Sequence, residues 1–239
     1  MSDVAPKVRR QELASRLAQV EARIGAACSA AGRDRAAVTL VVVTKFFPVT
    51  DLELLAALGV GDVGESRDQE ATAKVAELGE SARRALHLHF IGQVQSRKAG
   101  SVARYADTVH SLDRTKVVAA LDRGAAAAGR RVQALVQVSL DDDPGRGGVP
   151  PQEVRRLADE VAQAPNLDLR GVMAVAPLGG DPAQAFARLQ EVAAGVRADH
   201  PDAAWISAGM SGDLEDAVAH GATHLRVGTA ILGSRPVLR

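Results

Sequence analysis

Eight short segments rich in Val, Leu and Ile recur along the chain, and stretches with helical spacing separate most of them. The strand-like segments are 39–45, 62–66, 86–92, 108–112, 134–140, 169–175, 204–208 and 225–231. The helical ones include 51–58, capped by Thr50 or Asp51, a polar stretch ending at Leu78, and 95–103, 151–163, 182–198 and 211–220. A loop from Asp141 to Gly148 follows the fifth strand. Parallel strands need a crossover of a dozen or more residues, which a helix usually supplies. Eight such units fit a (β/α)8 TIM barrel better than a doubly wound sheet, which usually has fewer strands. An amphipathic helix over 8–31 precedes the first strand, with Leu13, Leu17, Val20, Ile24 and Ala27 along one face and Gly32 placed to end it. No linker interrupts the series, and 239 residues are short for two enzyme domains. The expectation is one α/β domain over 1–239, with residues 1–32 as an extra amino-terminal helix.

Composition narrows the function classes. Lys and Arg number 29 against 29 Asp and Glu, and only 3% of residues are aromatic. Neither a basic footprint nor stacking platforms for nucleic acid are present. The lone Cys28 cannot form an intramolecular disulfide, the charged start Met1-Ser-Asp-Val-Ala-Pro-Lys7 lacks a signal peptide's apolar core, and no apolar run spans a bilayer. A cytoplasmic, soluble protein with no membrane or nucleic-acid partner is expected.

In a barrel, residues at the carboxyl ends of the strands converge on one mouth, which brings Lys45, Ser66, Gly92, Asp113, Met173, Met210 and Thr229 together. Lys45 closes the apolar run Thr39-Leu-Val-Val-Val-Thr44. The commoner fate of such a lysine is to snorkel into solvent. Its surroundings argue otherwise. The loops after strands seven and eight, where barrels of this kind commonly bind phosphate, read Gly209-Met-Ser-Gly-Asp213 and Gly228-Thr-Ala-Ile-Leu-Gly233. Gly209 and Gly212 admit an anion to the backbone, Ser211 offers a hydroxyl at the start of a helix, and Gly228 and Thr229 repeat that chemistry next door. A plain helix cap by Ser211 or Asp213 is the competing explanation. A lysine facing a phosphate cradle suggests a Schiff base with a phosphorylated carbonyl compound, either pyridoxal phosphate or a sugar phosphate. Arg226 shares a strand face with Gly228, so it points towards the mouth, where it either partners a pyridine nitrogen or forms a rim salt bridge.

These residues resemble the pyridoxal phosphate homeostasis proteins (YggS/PROSC-type), which are related to the amino-terminal barrel of alanine racemase. The resemblance covers nearly the whole chain. It rests on Val43-Thr44-Lys45, Gly64-Glu-Ser-Arg-Asp-Gln-Glu70, His89-Phe-Ile-Gly-Gln-Val-Gln95, Gly171-Val-Met-Ala-Val-Ala-Pro177, Ser207-Ala-Gly-Met-Ser-Gly-Asp213 and Val227-Gly-Thr-Ala-Ile-Leu-Gly233. It implies a fold-type III barrel holding pyridoxal 5'-phosphate (PLP) as an internal aldimine on Lys45. Ser211, Gly212, Gly228 and Thr229 then hold the phosphate, Arg226 faces the pyridine nitrogen, and Ser66, Met173 and Met210 complete the cofactor site. The implied role is intracellular vitamin B6 homeostasis without established turnover. Apo forms of PLP-dependent enzymes are the candidate recipients, and a monomer is the expected state. Two positions depart from the family pattern: Ser66 stands where Asn is usual, and Arg97 adds a cation after strand three.

Three enzymes compete with that reading. The first is a racemase or decarboxylase of the same fold; racemisation needs acid/base groups on both faces of the substrate carbon, Lys45 serves one, and the single tyrosine, Tyr105, falls in an expected helix. A Schiff-base aldolase would use Lys45 without Arg226. A metal-dependent hydrolase is prompted by His87 and His89 on one face of strand three, with His110 and His224 elsewhere, but strand residues with local hydrogen bonds suit these histidines better. No metal ligand and no catalytic residue is assigned.

Overall fold

Strand β1 (Thr39–Val43) is a run of β-branched and aliphatic residues buried on both faces, the composition of a central parallel strand. Seven more parallel strands follow: β2 (Asp62–Glu65), β3 (His87–Phe90), β4 (Thr108–Leu112), β5 (Val132–Gln137), β6 (Leu167–Met173), β7 (Trp205–Ser207) and β8 (His224–Val227). In this computed structural model, which describes residues 4–141 and 147–234, they pair in chain order. β8 returns to β1 through Thr39 with His224 and Val41 with Arg226, closing a TIM barrel.

The principal helices are α1 (Val4–Ala30), α2 (Val49–Ala57), α3 (Asp68–Glu77), α4 (Glu80–Ala85), α5 (Ala99–Tyr105), α6 (Thr115–Ala127), α7 (Val154–Gln163), α8 (Pro182–Asp199), α9 (Leu214–Ala219) and α10 (Thr229–Leu232). The apolar core lies mainly between this helical ring and the outer faces of the strands. α1 is the extra helix expected from the sequence. It buries Leu13, Val20, Ile24, Ala27 and Cys28, leaves Leu17 half-buried, and ends at Gly32, whose φ of +64° suits glycine. Arg23 ties it to α9 through Glu215.

Several expected boundaries shift. The crossover from β2 to β3 holds two helices, because Gly79 breaks the polar stretch between α3 and α4. Neither Thr50 nor Asp51 caps α2: Pro48 takes the cap position, and Asp51 instead accepts two bonds from Arg9 of α1. The helix expected over 211–220 begins only at Leu214, and the strand expected over 225–231 stops at Val227, where Gly228 turns the chain into α10. Residues 142–146 of the expected loop lie outside the described residues, as do both termini of the expected 1–239 domain. No helix among the described residues is long and apolar enough to cross a membrane.

At the β6–β7 contact, Gly171 has φ +147°, and a Cβ there would stand 1.9 Å from the Trp205 carbonyl oxygen. Only glycine fits that approach. In α1, Ile24→Ala should lower unfolding free energy by about 2–5 kcal/mol through lost burial and the cavity left behind. Urea denaturation followed by circular dichroism checks this.

Candidate functional site

Lys45 lies two residues beyond β1, in a turn, half-buried at the carboxyl rim of the barrel. The turn is strained: Phe46 has φ +71°, a left-handed conformation that is uncommon for a bulky side chain. A buried charged cluster holds it. Lys74 of α3 donates to the Thr44 carbonyl (2.9 Å) and to Glu65 Oε1 (2.7 Å) and pairs with Glu70 (2.7 Å), while Glu70 Oε1 accepts from the Phe46 N–H at 2.5 Å. Thr44 Oγ1 also donates to Glu65 Oε1 (2.7 Å). Burial raises the Glu65 carboxyl above its usual range despite the nearby lysine. The Gly64–Glu70 motif, read from sequence as a family signature, is therefore the clamp that fixes the backbone on both sides of Lys45.

The barrel interior is polar where such barrels are usually packed with branched apolar side chains. Arg226 of β8 is 5% exposed, and its guanidinium donates to Ser207 Oγ (2.7 Å) and to the Ala174 carbonyl (2.9 Å). It makes no ion pair among the described residues, and burial lowers its pKa to about 10, partly countered by the charge of Asp213. Among the described residues the rim salt bridge is thus absent. The four strand histidines gather beside it: His89 lies 5.0 Å from His110 and 6.1 Å from His224, ring to ring, and His87 lies 4.7 Å from His89. Their ring nitrogens are engaged by Asp62, Thr108, Ser207, Thr223 and one another. Local hydrogen bonding is what occupies them. Burial keeps His110 well below its usual pKa, lowers His87, and pushes His224 down to about 3. Burial alone would raise the Asp62 carboxyl, but the hydrogen bond from His89 helps to hold it below its usual range.

The two phosphate-type loops meet the same rim. Ser211 and Gly212 lie in a turn ahead of the six-residue α9, so a helix dipole is not the attraction there. The competing cap also fails: Asp213 makes no side-chain cap bond, and its carboxylate accepts from the Met210 N–H (2.6 Å). Among the described residues nothing accepts from the Ser211 or Gly212 N–H, and a Cβ on Gly212 would meet nothing within 4 Å. Arg23 of α1 holds this turn by donating to the Ser211 carbonyl (3.1 Å). Thr229 is exposed at the first residue of α10. Met173 is buried at the end of β6, and Met210 is 40% exposed.

Ser66 follows β2 directly and lines a cavity of about 760 Å3 together with Phe46, Arg67, Gln93, Gln95 and Lys98. Its lining residues come from the chain after β1, β2 and β3 and do not include Arg226 or Ser211. Gly92 and Asp113 follow β3 and β4, so all seven residues expected at the mouth do lie at the carboxyl ends of strands. Arg97 is exposed, and its Nε donates to Gln95 (3.2 Å). Sequence reasoning missed the Lys74 clamp and the role of Ser207. Strand alternation offered a hint for Ser207; nothing in the chain near Lys74 marks it.

A family model described as "Alanine racemase, N-terminal domain" matches residues 16–236. The chain is 47% identical to the "Pyridoxal phosphate homeostasis protein" of Mycobacterium tuberculosis over an alignment of 243 residues, covering 95% of this chain and 94% of that protein. The structure of PipY from Synechococcus elongatus with PLP bound is similar at a TM-score of 0.80 and 34% identity, covering 92% of this chain and 100% of that one. Alanine racemase from Corynebacterium glutamicum, at 14% identity and a TM-score of 0.68, shares the fold; the match covers 95% of this chain and 62% of the racemase.

Two outcomes follow from this geometry. Glu70→Gln should weaken the hold on the Phe46 N–H and lower the reactivity of Lys45 towards an aldehyde probe several-fold, measured by reductive trapping of the folded protein. Because burial keeps His110 and His224 neutral while the unfolded chain takes up protons below its ordinary pKa of 6.5, stability falls as pH drops from there towards the depressed folded values. Each such histidine contributes up to about 1.4 kcal/mol per pH unit. Urea midpoints measured between pH 7.5 and 4.5 should decline accordingly, and less steeply in His224→Gln.

Proposed function

The chain belongs to the pyridoxal phosphate homeostasis protein family, and from that membership we propose that it binds PLP as a Schiff base on Lys45 and serves intracellular vitamin B6 homeostasis. The observation that carries this reading is Arg226, a guanidinium enclosed in the barrel with a hydroxyl and a carbonyl for partners and, among the described residues, no carboxylate bonded to it. A buried cation without a counter-ion is costly unless an acceptor completes its shell. A pyridine nitrogen is such an acceptor, and the nearby turn with unused N–H groups suits the phosphate of the same molecule.

Lys45 supplies the amine, held at the rim by the clamp around Phe46. Ser211, Gly212, Gly228 and Thr229 hold the phosphate through hydroxyls and backbone N–H groups. Ser66, Met173 and Met210 bound the ring; the Ser66 hydroxyl has a shorter reach than the amide usual in the family. When bound, PLP supplies an electrophilic carbon conjugated to a ring that can draw electrons. Arg226, with a pKa near 10, stays protonated at neutral pH and offers its N–H to the ring nitrogen. It therefore leaves that nitrogen without a proton of its own, which weakens the ring as an electron sink.

The same residues favour holding the cofactor over turning substrate over. Tyr105, the only tyrosine, is buried and donates its hydroxyl to Asp68 (3.4 Å), and burial pushes its phenol well above its usual pKa. It offers no acid/base group to the mouth. The relatives' names describe homeostasis and no reaction. Transfer of the cofactor to apo PLP-dependent enzymes, from a monomer in the cytoplasm, completes the proposal.

Purified protein supplied with PLP should show a visible imine band that disappears on borohydride treatment and leaves the label on the peptide carrying Lys45. Lys45→Ala should show neither band nor label. Labelling elsewhere overturns the Lys45 assignment, and robust racemisation of amino acids that Lys45→Ala abolishes overturns the non-catalytic role.

A further inference from the structure

We propose that His110, acting through Ser207, is a positioning residue for Arg226, as part of a one-directional hydrogen-bond relay Arg226–Ser207–His110–His89–Asp62 that fixes where the guanidinium points. The relay crosses the barrel interior from the carboxyl end of β7 to the amino end of β2. Its links are Arg226 Nη1 to Ser207 Oγ (2.7 Å), Ser207 Oγ with His110 Nδ1 (2.8 Å), His110 Nε2 with His89 Nδ1 (2.8 Å) and His89 Nε2 with Asp62 Oδ1 (2.9 Å). The inference rests on the reading of Arg226 as the partner of the pyridine nitrogen.

The proton order follows from the two ends. An ionised carboxylate only accepts and a guanidinium only donates. With Asp62 accepting from His89 Nε2–H, a His89 that carries one proton accepts at Nδ1 from His110 Nε2–H. His110 Nδ1 then accepts from the Ser207 hydroxyl, whose oxygen accepts from Arg226. Every proton in the series has an acceptor. In the reverse order His110 Nδ1–H donates to Ser207, and His89 must carry two protons. The Ser207 hydroxyl, 0% exposed, then has no acceptor among the described residues. That order leaves a buried donor unmade, so the forward order is the stable one.

The consequence reaches the mouth. A serine hydroxyl is a free rotor until its proton is committed, and commitment to His110 turns its lone pair towards Arg226. Ser207 on one side and the Ala174 carbonyl on the other then orient the guanidinium. His87 and His224 pack beside the relay without joining it: they bond to Thr108 and Thr223.

Nitrogen-15 NMR of the cofactor-free protein at pH 7.5 should find His89 and His110 both protonated on Nε2 and bare on Nδ1. A proton on His110 Nδ1, or a doubly protonated His89, overturns the relay. In the PLP-loaded protein, Ser207→Ala and His110→Phe should retain the borohydride label on Lys45, shift the visible band and weaken PLP binding about three- to tenfold, the loss of one buried hydrogen bond. His110→Asn, whose Oδ1 can accept where Nδ1 did, should restore the band. An unchanged band and affinity in Ser207→Ala, or His110→Asn behaving like His110→Phe, defeats the proposal; if His110→Phe does not fold, Ser207→Ala decides. Absence of label on Lys45 in the unaltered protein would instead defeat the cofactor reading, and the NMR measurement would still decide the proton order.

Discussion

A guanidinium enclosed in the barrel with no carboxylate bonded to it among the described residues is the constraint on which the rest of this barrel depends. An isolated ion in a low-dielectric interior is costly, so every neighbour must be a hydrogen-bond acceptor or pass acceptance along. Arg226 has Ser207 and Ala174 for this, and behind Ser207 the acceptors continue through two histidines to the Asp62 carboxylate. An all-apolar interior of the usual barrel type would leave the charge stranded. The polar interior moves the stabilising burden outward: apolar packing is concentrated between the strands and the helical ring, where Leu, Val and Ala dominate.

The same logic joins the two halves of the site. β1 pairs with β8, setting Val41 beside Arg226 and Val42 beside Val227, so the turn with Lys45 and the turn at Gly228 leave the barrel from adjacent strands. A Cβ on Gly228 would stand 3.0 Å from the Val43 carbonyl oxygen, which shows how closely these exits approach. Lys45 would be poorly directed by its own backbone, since Phe46 adopts a costly conformation. Lys74, Glu65 and Glu70 hold that conformation, three residues reaching in from the neighbouring β2 and α3. Strain at the rim is thus maintained by a charged cluster beneath it, as is common where a side chain must be presented in one direction.

Much of the fold was legible in the sequence because a barrel is repetitive: each strand and crossover repeats one pattern, and β4 was read to the residue. Errors collected where local rules compete. Ser211 looked like the start of a helix, but Asp213 spends its carboxylate on the Met210 N–H, and α9 begins at Leu214. The apolar run after Arg226 looked like continuing strand, but the chain had reached the rim and turned into α10. Asp51 looked like a cap until Arg9, forty-two residues away in sequence, claimed it. Of the candidate site, Lys45, Ser211, Gly228, Thr229 and Arg226 could be named from sequence because topology places strand ends together. His87 and His89 could be placed on one face of a strand, but the network that joins His89 to His110 could not.

The sequence by itself determined the alternation of strands and helices, the extra α1, and the set of residues that strand ends bring to one mouth. Those follow from periodicity and chain connectivity, which are local. Only the tertiary structure decided that Arg226 bonds to a hydroxyl and a carbonyl rather than to a carboxylate among the described residues, that His89 and His110 join Asp62 to Ser207, and that Lys74 braces the turn after Lys45. Each of these depends on which atoms from distant strands fall within about 3 Å of one another. That is set by barrel closure and register, and a residue's neighbours in the chain carry no record of it.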